Sequence, residues 1–119
     1  MVTWKNLDTL ASYQELEKVE KVNLAEVMSG ENGAERVKNY SIPMGAGLVY
    51  NYAAKKVDDN VLAALAKLAE EAQLTEKFEA LYNGEVVNTG EKRLVLHHMC
   101  RGQLGEAVNA DGVDKRTFY

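Results

Sequence analysis

A chain of 119 residues has the length of a single domain and can bury about two-thirds of the surface of its unfolded state. Its composition, 46% apolar and 27% charged, is that of an ordinary globular protein and excludes intrinsic disorder. The net charge of −4 provides no basic field that could hold a polyphosphate backbone, so we expect no nucleic-acid partner.

The cysteine content, the amino terminus and the longest aliphatic run all predict a cytoplasmic protein. Cys100 is the single cysteine, so no intramolecular disulfide can form, which fits a reducing environment. The amino-terminal residues lack the charged head and apolar run of a secretion signal. The longest aliphatic run, at residues 61–66, is far too short to span a bilayer. We therefore expect a cytoplasmic protein with no membrane partner.

The first part of the chain predicts an amphipathic helix. This helix would cover residues 4–19 and begin at a cap formed by Thr3 or Asn6. Its apolar side chains fall near one face, at Leu7, Leu10, Ala11 and Leu16.

Two shorter elements are predicted next. A turn at residues 24–28 precedes a helix over residues 32–39, for which Ser29 is the expected cap. Because Pro43 disfavours α geometry at Ile42, this helix should end before the proline.

The clearest helix is predicted over residues 59–72. Asp58 is a suitable N-cap, because its carboxylate can accept hydrogen bonds from the free amides of the first turn. Apolar side chains repeat along one side, at Val61, Leu62, Leu65, Ala66, Leu68, Ala69 and Ala72. The acidic pair Glu70 and Glu71 lies on the opposite, solvated side.

A further helix is predicted from the spacing of Leu74, Phe78, Leu81 and Tyr82. Thr75 would cap its start, and Asn83-Gly84 would stop it because both residues tolerate positive φ.

The last predicted helix covers residues 90–101. It follows a short extended segment near residues 85–88, and Asn88 with Glu91 three residues later resembles a capping box. Elsewhere the alternation that marks a β-strand is too weak to predict a sheet. The predicted fold class is therefore all-α, in a single helical domain over residues 1–119.

The adjacent histidines His97 and His98 do not predict a metal site. Neighbours on a helix point about 100° apart and cannot face one ion together. The positions one helical turn away hold no ligand, since they are Arg93, Leu94, Arg101 and Gly102. We expect a histidine that packs at a helix–helix contact.

Cys100 has the cationic neighbours that a reactive thiolate needs, with His97 three residues before it and Arg101 beside it. A catalytic Cys–His pair also requires an orienting third group and an oxyanion hole, and the sequence identifies neither. We expect a small buried thiol without a catalytic role.

Two glycine-containing stretches resemble ligand loops only in part. Residues 45–50 begin like a dinucleotide-binding loop but place Tyr50 where the last glycine belongs, so we predict a flexible turn. Residues 109–114 resemble a calcium loop, but alignment on Gly112 puts Ala107 at the first ligand position. We assign no catalytic, cofactor-binding or metal-binding residue.

Two stretches of the chain resemble the amino-terminal part of the glucose-6-phosphate isomerases. Residues 48–58 resemble an apolar run that ends in an acidic residue and tyrosine, with Asn51 in the acidic place, and a Leu- and Ala-rich helix follows as in the family. Residues 84–101 resemble the phrases Gly-Glu-x-Ile-Asn, Thr-Glu-x-Arg-Ala-Val-Leu-His and Ala-Leu-Arg. The departures are Gly90 for Thr, Leu94 for Ala, and Met99-Cys100 for Ala-Leu.

This resemblance covers about residues 36–101, with a looser match at residues 4–16. It implies the amino-terminal helical part of a larger α/β sugar-phosphate isomerase of glycolysis and gluconeogenesis. That family interconverts glucose 6-phosphate and fructose 6-phosphate through an enediol, with a carboxylate base and no cofactor. Its catalytic Glu, His and Lys come later in the polypeptide, so the resemblance assigns no catalytic residue here.

The resemblance further implies a chain truncated at its C-terminal end and inactive alone. Its expected partner is the remainder of the isomerase chain, in an enzyme that is a homodimer when full-length and binds sugar phosphate only in that form. The alternative is a free-standing small helical protein-interaction module.

Overall fold

The structure is a computed structural model, and it describes residues 1–101 and 105–118. The described α-helices are α1 (Ala11–Lys18), α2 (Leu24–Val27), α3 (Gly30–Asn39), α4 (Asp59–Glu71), α5 (Leu74–Tyr82) and α6 (Lys115–Phe118). The strands are β1 (Ser41–Pro43), β2 (Val49–Asn51), β3 (Asn109–Ala110) and β4 (Val113–Asp114). Short 3₁₀ turns lie at Leu7–Thr9, Gly45–Gly47 and His97–Arg101. Gly102, one of the positions considered for a metal ligand, lies outside the described residues.

The chain divides into two compact units, each of which is described by itself. The central unit is Ala11–Lys67, and the terminal unit combines Met1–Leu10 with Leu68–Tyr119. None of the described helices has the length and apolar character needed to cross a membrane.

The all-α prediction is correct only in part, because two small antiparallel hairpins accompany the helices. In the central unit β1 pairs with β2 in the register Ser41↔Asn51, Ile42↔Tyr50 and Pro43↔Val49. Residues 45–50, predicted as a flexible turn, form the reversal and much of the second strand of this hairpin. Positive φ angles at Ala46 (57°) and Gly47 (74°) reverse the chain.

The first predicted helix is too long. Leu10 adopts an extended conformation (φ −86°, ψ 142°), so residues 7–9 form a separate 3₁₀ turn and α1 begins at Ala11. Leu10 of the predicted face is buried, but Leu7 and Ala11 are exposed and Ser12 is buried instead.

The turn predicted at residues 24–28 is the short helix α2, and α3 agrees better with prediction. Helix α3 ends at Asn39, before Pro43, as predicted. It begins at Gly30, two residues earlier than predicted, with Ser29 at the N-cap position. The Ser29 hydroxyl does not cap the helix but donates to the Glu26 carbonyl at 2.7 Å.

Helix α4 confirms the predicted start and the predicted cap. The Asp58 carboxylate accepts a hydrogen bond from the Val61 amide at 2.9 Å, an interaction that stabilises a helix by about 1 kcal/mol. The predicted apolar side is only partly buried, because Leu65 is 38% exposed whereas Ala64 is buried.

Helix α5 begins and ends by different means. Gln73 precedes it in the left-handed conformation (φ 53°), so Thr75 is not the cap and that prediction was wrong. The end is as predicted: Glu85 donates its amide to Ala80 O at 2.9 Å and Gly84 donates to Leu81 O at 3.1 Å. This pair of bonds is the Schellman motif, with glycine at the left-handed position.

The helix predicted over residues 90–101 does not form. The capping contact itself exists, because Asn88 Oδ1 accepts from the Glu91 amide at 3.1 Å. Lys92, however, has a φ of 54°, and the backbones of Asn88 and Arg93 then pair as an isolated antiparallel bridge. The predicted cap therefore closes a tight loop, and only a 3₁₀ turn follows at His97–Arg101.

Candidate functional site

The end of α5 is the point in the terminal unit where distant parts of the sequence meet. The Tyr82 carbonyl accepts one hydrogen bond from Arg116 Nη2 at 3.0 Å and contacts His98 Nε2 at 3.1 Å. The His98 ring stacks on the Tyr82 ring with centroids 4.9 Å apart, and Arg116 Cζ lies 5.0 Å from the same centroid. We call Tyr82, His98 and Arg116 the Tyr82 cluster.

The tautomer of His98 follows from this geometry. A carbonyl oxygen can only accept, so Nε2 carries the proton that faces Tyr82. His98 Nδ1 is buried without a hydrogen-bond partner among the described residues. The cluster fixes the orientation of the ring, as expected for a structural histidine.

The residues that follow position 105 are tied to α5 through Arg116 and Asp114. Arg116 is 4% exposed, and its Nε donates to the Glu106 carbonyl at 2.6 Å. The Asp114 carboxylate accepts from the Thr117 hydroxyl at 2.6 Å, the Arg116 amide at 3.0 Å and the Val108 amide at 3.1 Å. These hydrogen bonds, that of Thr117 foremost, outweigh desolvation and hold the pKa of Asp114 below its usual value.

The histidine pair divides between two environments. His98 packs on Tyr82, as expected for a packed histidine, but from a 3₁₀ turn and not from a helix–helix contact. His97 is exposed. Within residues 1–101 and 105–118, no group of three His, Cys, Asp or Glu side chains is placed to hold a metal ion.

The prediction that Cys100 is buried was wrong. In the 3₁₀ turn Met99 takes the inward position, at 1% exposure, and Cys100 is exposed. A surface depression of about 220 Å³ lies beside the thiol, lined by Leu94, Leu96, His97 and Cys100. The helix on which the prediction rested is absent, so its spacing does not decide which side chains point inward.

The stretch that resembles a calcium loop is the second hairpin. Asn109 pairs with Asp114 and Ala110 with Val113, across a turn at Asp111-Gly112 whose φ angles are 54° and 75°. Two central residues with positive φ are typical of a type I′ turn, for which Asp-Gly is a preferred sequence. That dipeptide is the signal that could have predicted this hairpin.

The base of the β1–β2 hairpin in the central unit is held by a second set of polar contacts. Asn51 Nδ2 donates to the Val37 carbonyl at 2.7 Å and to Ser41 Oγ at 2.9 Å, and its Oδ1 accepts from the Ala53 amide at 3.1 Å. The rings of Tyr40 and Tyr52 stack with centroids 5.0 Å apart. Sequence reasoning missed this anchor, because its contacts to Val37 and Ser41 join residues 14 and 10 positions apart.

Arg36 extends this anchor to the segment after β2. Its guanidinium lies 4.1 Å from the Tyr40 ring centroid and is itself buried. It donates to the carbonyl oxygens of Ala53 at 2.7 Å, Lys55 at 2.9 Å and Val57 at 2.6 Å. One buried cation therefore satisfies three carbonyls of a segment without regular structure. These hydrogen bonds explain why the Arg36 charge is stable in a buried position.

Comparison with known proteins assigns these elements to an isomerase family. The profile of the family described as phosphoglucose isomerase matches residues 51–117. The glucose-6-phosphate isomerase of Treponema denticola is 50% identical over 121 aligned positions, which cover 98% of this chain and 23% of that protein. The enzyme of that name from Treponema pallidum is 48% identical (99% of this chain, 23% of that protein). The one from Borreliella afzelii is 39% identical (100% and 22%).

These relatives are isomerases by name. The chain belongs to the phosphoglucose isomerase family, which confirms the resemblance found in residues 48–58 and 84–101. It spans less than a quarter of the length of the curated relatives that it matches.

Proposed function

We propose that this chain is the amino-terminal scaffold segment of a glucose-6-phosphate isomerase and supplies no catalytic residue to it. The observation that carries the proposal is the extent of the match, which covers 98% of this chain but 23% of the Treponema denticola enzyme. In this proposal the activity belongs to the whole polypeptide, and the segment supports the domains that perform it.

The polar side chains of the described residues support a structural role. Arg36, Arg116 and Asp114 all direct their charged groups at backbone atoms of their own unit. His98 faces the Tyr82 carbonyl through one ring nitrogen. Side chains used in this way hold loops in place, which supports a structural role.

The proposed parent reaction interconverts glucose 6-phosphate and fructose 6-phosphate. Moving a proton between C1 and C2 requires a base poised near neutral pH, together with cations for the phosphate and the developing oxyanion. The family resemblance assigns those groups to later parts of the polypeptide. We further infer that the full-length protein is a cytoplasmic homodimer that needs no cofactor.

A complementation experiment tests this proposal. The 119-residue chain and the remainder of the isomerase polypeptide would be expressed separately and together in a host that lacks its own isomerase. We expect no turnover from the purified chain and recovery of glucose-6-phosphate isomerase activity when both parts are present. Turnover by the chain alone, in this isomerase-free background, would contradict the scaffold role.

The alternative is a free-standing interaction module, and the exposed apolar surface that would serve it also fits a segment separated from its packing partner. The β1–β2 hairpin carries exposed apolar side chains, with Val49 64% and Leu48 62% exposed. A surface of this kind is typical of a protein contact. The alternative requires that the cell contain this polypeptide at 13.2 kDa, which separates it from the isomerase proposal.

A further inference from the structure

The β1–β2 hairpin exposes apolar side chains on both of its faces. Successive residues of a strand point to opposite faces, so the pair Ile42 and Tyr50 lies on one face and the pair Pro43 and Val49 on the other. Ile42 is 51% exposed, Tyr50 45% and Val49 64%. Half-buried hairpins normally place polar side chains along the outer face, whereas here the polar pair on the second face, Asn51 and its cross-strand partner, lies at the base of the hairpin.

The end of the hairpin continues this surface. Met44 is 53% exposed and Leu48 62% exposed, and the Met44 amide donates to the Leu48 carbonyl at 2.7 Å. No charged residue occurs at residues 39–54, although 27% of the whole chain is charged. We call Ile42, Met44, Leu48, Val49 and Tyr50 the hairpin tip.

The hairpin tip is held in one conformation although it is exposed. An isolated two-stranded hairpin is marginally stable in water, so its shape must come from its base. There Tyr52 stacks between Tyr40, at 5.0 Å, and Tyr50, at 6.2 Å, and its amide donates to the Tyr40 carbonyl at 2.9 Å. A rigid apolar projection loses little conformational entropy when it binds, which favours association.

The backbone of β1 indicates contact through side chains and not through strand addition. The backbone hydrogen bonds donated by the Met44 and Tyr52 amides show that Ile42 and Tyr50 form a hydrogen-bonded pair. In an antiparallel ladder such pairs alternate with non-hydrogen-bonded ones, so the backbone nitrogen of Pro43 lies on the outer edge of β1. Proline has no amide hydrogen, and this edge therefore cannot donate to another strand there.

We propose that the hairpin tip inserts into an uncharged, apolar cleft formed by the remainder of the isomerase polypeptide, which contacts both of its faces. This inference rests on the proposed function. The relatives match the chain over its whole length, hairpin included, while some three-quarters of their own polypeptide lies outside the match. That part of the polypeptide can supply the surface that buries the hairpin tip.

A second copy of the chain fits the hairpin tip less well. A two-fold contact between copies would pair one face of the hairpin with the same face of its partner. The opposite face, with Val49 or with Ile42, would stay in water. Burial of both faces requires elements on two sides, which is the geometry of a cleft.

The test uses the full-length isomerase that contains this segment, with one variant for each face. Ile42→Asp and Val49→Asp introduce a charge on opposite faces, and Val49→Ile is the matched control that keeps the side chain apolar. We expect each aspartate variant to lower the midpoint of thermal unfolding by about 5 °C or more, because a charge would be buried without a partner. The control should unfold within about 1 °C of the wild type.

Two further measurements keep each outcome decisive. If an aspartate variant does not accumulate as folded protein, the threonine variant at the same position, Ile42→Thr or Val49→Thr, is used in its place. It should also lower the midpoint of thermal unfolding. The oligomeric state is measured by light scattering, because loss of the native oligomer in both variants would identify a second copy as the occupant and overturn the proposal.

An effect from one face alone would indicate a flat contact, and an effect from neither face would show that the tip is solvent-exposed in the enzyme. Either result overturns the cleft. The proposed function is tested separately by the isomerase activity of the wild-type full-length protein, so its failure would not be confused with failure of the cleft.

Discussion

Gly84 lies against Val108 so closely that a β-carbon on Gly84 would overlap the Val108 side chain. Gly84 also has a φ of 75° at the end of α5, where a side chain would be strained even in open space. Two separate requirements, one on conformation and one on packing, therefore select glycine at this position. The contact joins the end of α5 to a residue 24 positions later and helps to fix the fold of the terminal unit.

Gly84→Ala should lower the free energy of unfolding by about 2–5 kcal/mol, the sum of a left-handed alanine and an overpacked contact. Urea unfolding followed by circular dichroism measures the loss. Gly112→Ala is the control for conformation alone, since Gly112 has the same φ of 75° but open space around it. Equal losses in the two variants would show that the Val108 contact adds nothing.

Asn51→Asp should loosen the base of the β1–β2 hairpin. Because Asn51 Oδ1 accepts from the Ala53 amide, the other amide atom must be the nitrogen that donates to the Val37 carbonyl. An aspartate would place an acceptor against that carbonyl, at a cost of about 1–3 kcal/mol in the free energy of unfolding.

Asn60→Asp is the matched control for this charge change. It introduces the same group in the first turn of α4, where a carboxylate suits the helix dipole. Thermal unfolding at pH 7 compares the two variants. A loss of stability in the Asn60 variant as large as that in the Asn51 variant would point to net charge as the cause.

Asp114 should make the stability of the terminal unit sensitive to acid. Its pKa is lowered in the folded state, chiefly by the Thr117 hydroxyl. The carboxylate therefore contributes stability at pH values above its usual pKa of 3.8. That contribution is lost as the pH falls through the lower folded-state pKa. Thermal unfolding midpoints between pH 2 and pH 6 should therefore fall less steeply with acid in Asp114→Asn than in the wild type.

The control for Asp114 is Asp111→Asn, because either residue suits the turn in which Asp111 lies. This variant should keep the acid dependence of the wild type. An unchanged slope in Asp114→Asn would contradict the role assigned to its three hydrogen bonds.

Cys100 should react readily with a thiol reagent in the folded chain, since its side chain is exposed. Cys100→Ser should change the free energy of unfolding by less than about 0.5 kcal/mol, whereas Met99→Ala, at a site only 1% exposed, should cost about 2–5 kcal/mol. Reaction kinetics with an aromatic disulfide, together with urea unfolding, measure both. Slow reaction until the chain unfolds would show that the thiol is buried.

Local signals in the sequence predicted much of the fold. Helices α4 and α5 follow from apolar spacing, and the ends at Asp58 and Gly84 follow from side-chain and backbone chemistry within one turn. These features depend on residues three to five positions apart, which is the range that a pattern reports.

The remaining elements depend on contacts between distant residues. Asn88 accepts from the Glu91 amide as the predicted capping residue would, but Lys92 adopts a left-handed conformation that no local preference required, and the predicted helix is absent. The first hairpin depends on Asn51 and on the stacking of Tyr40 with Tyr52. The family, by contrast, was evident from the order and spacing of residues in two short stretches.

We propose that this chain is part of a glucose-6-phosphate isomerase. An antibody against the chain, used on an extract of source cells, tests it by the size and the activity of the polypeptide that it captures. We expect one polypeptide more than four times heavier than 13.2 kDa, because the chain covers 23% of its relatives, with isomerase activity in the same fraction. A polypeptide of 13.2 kDa without isomerase activity would contradict it.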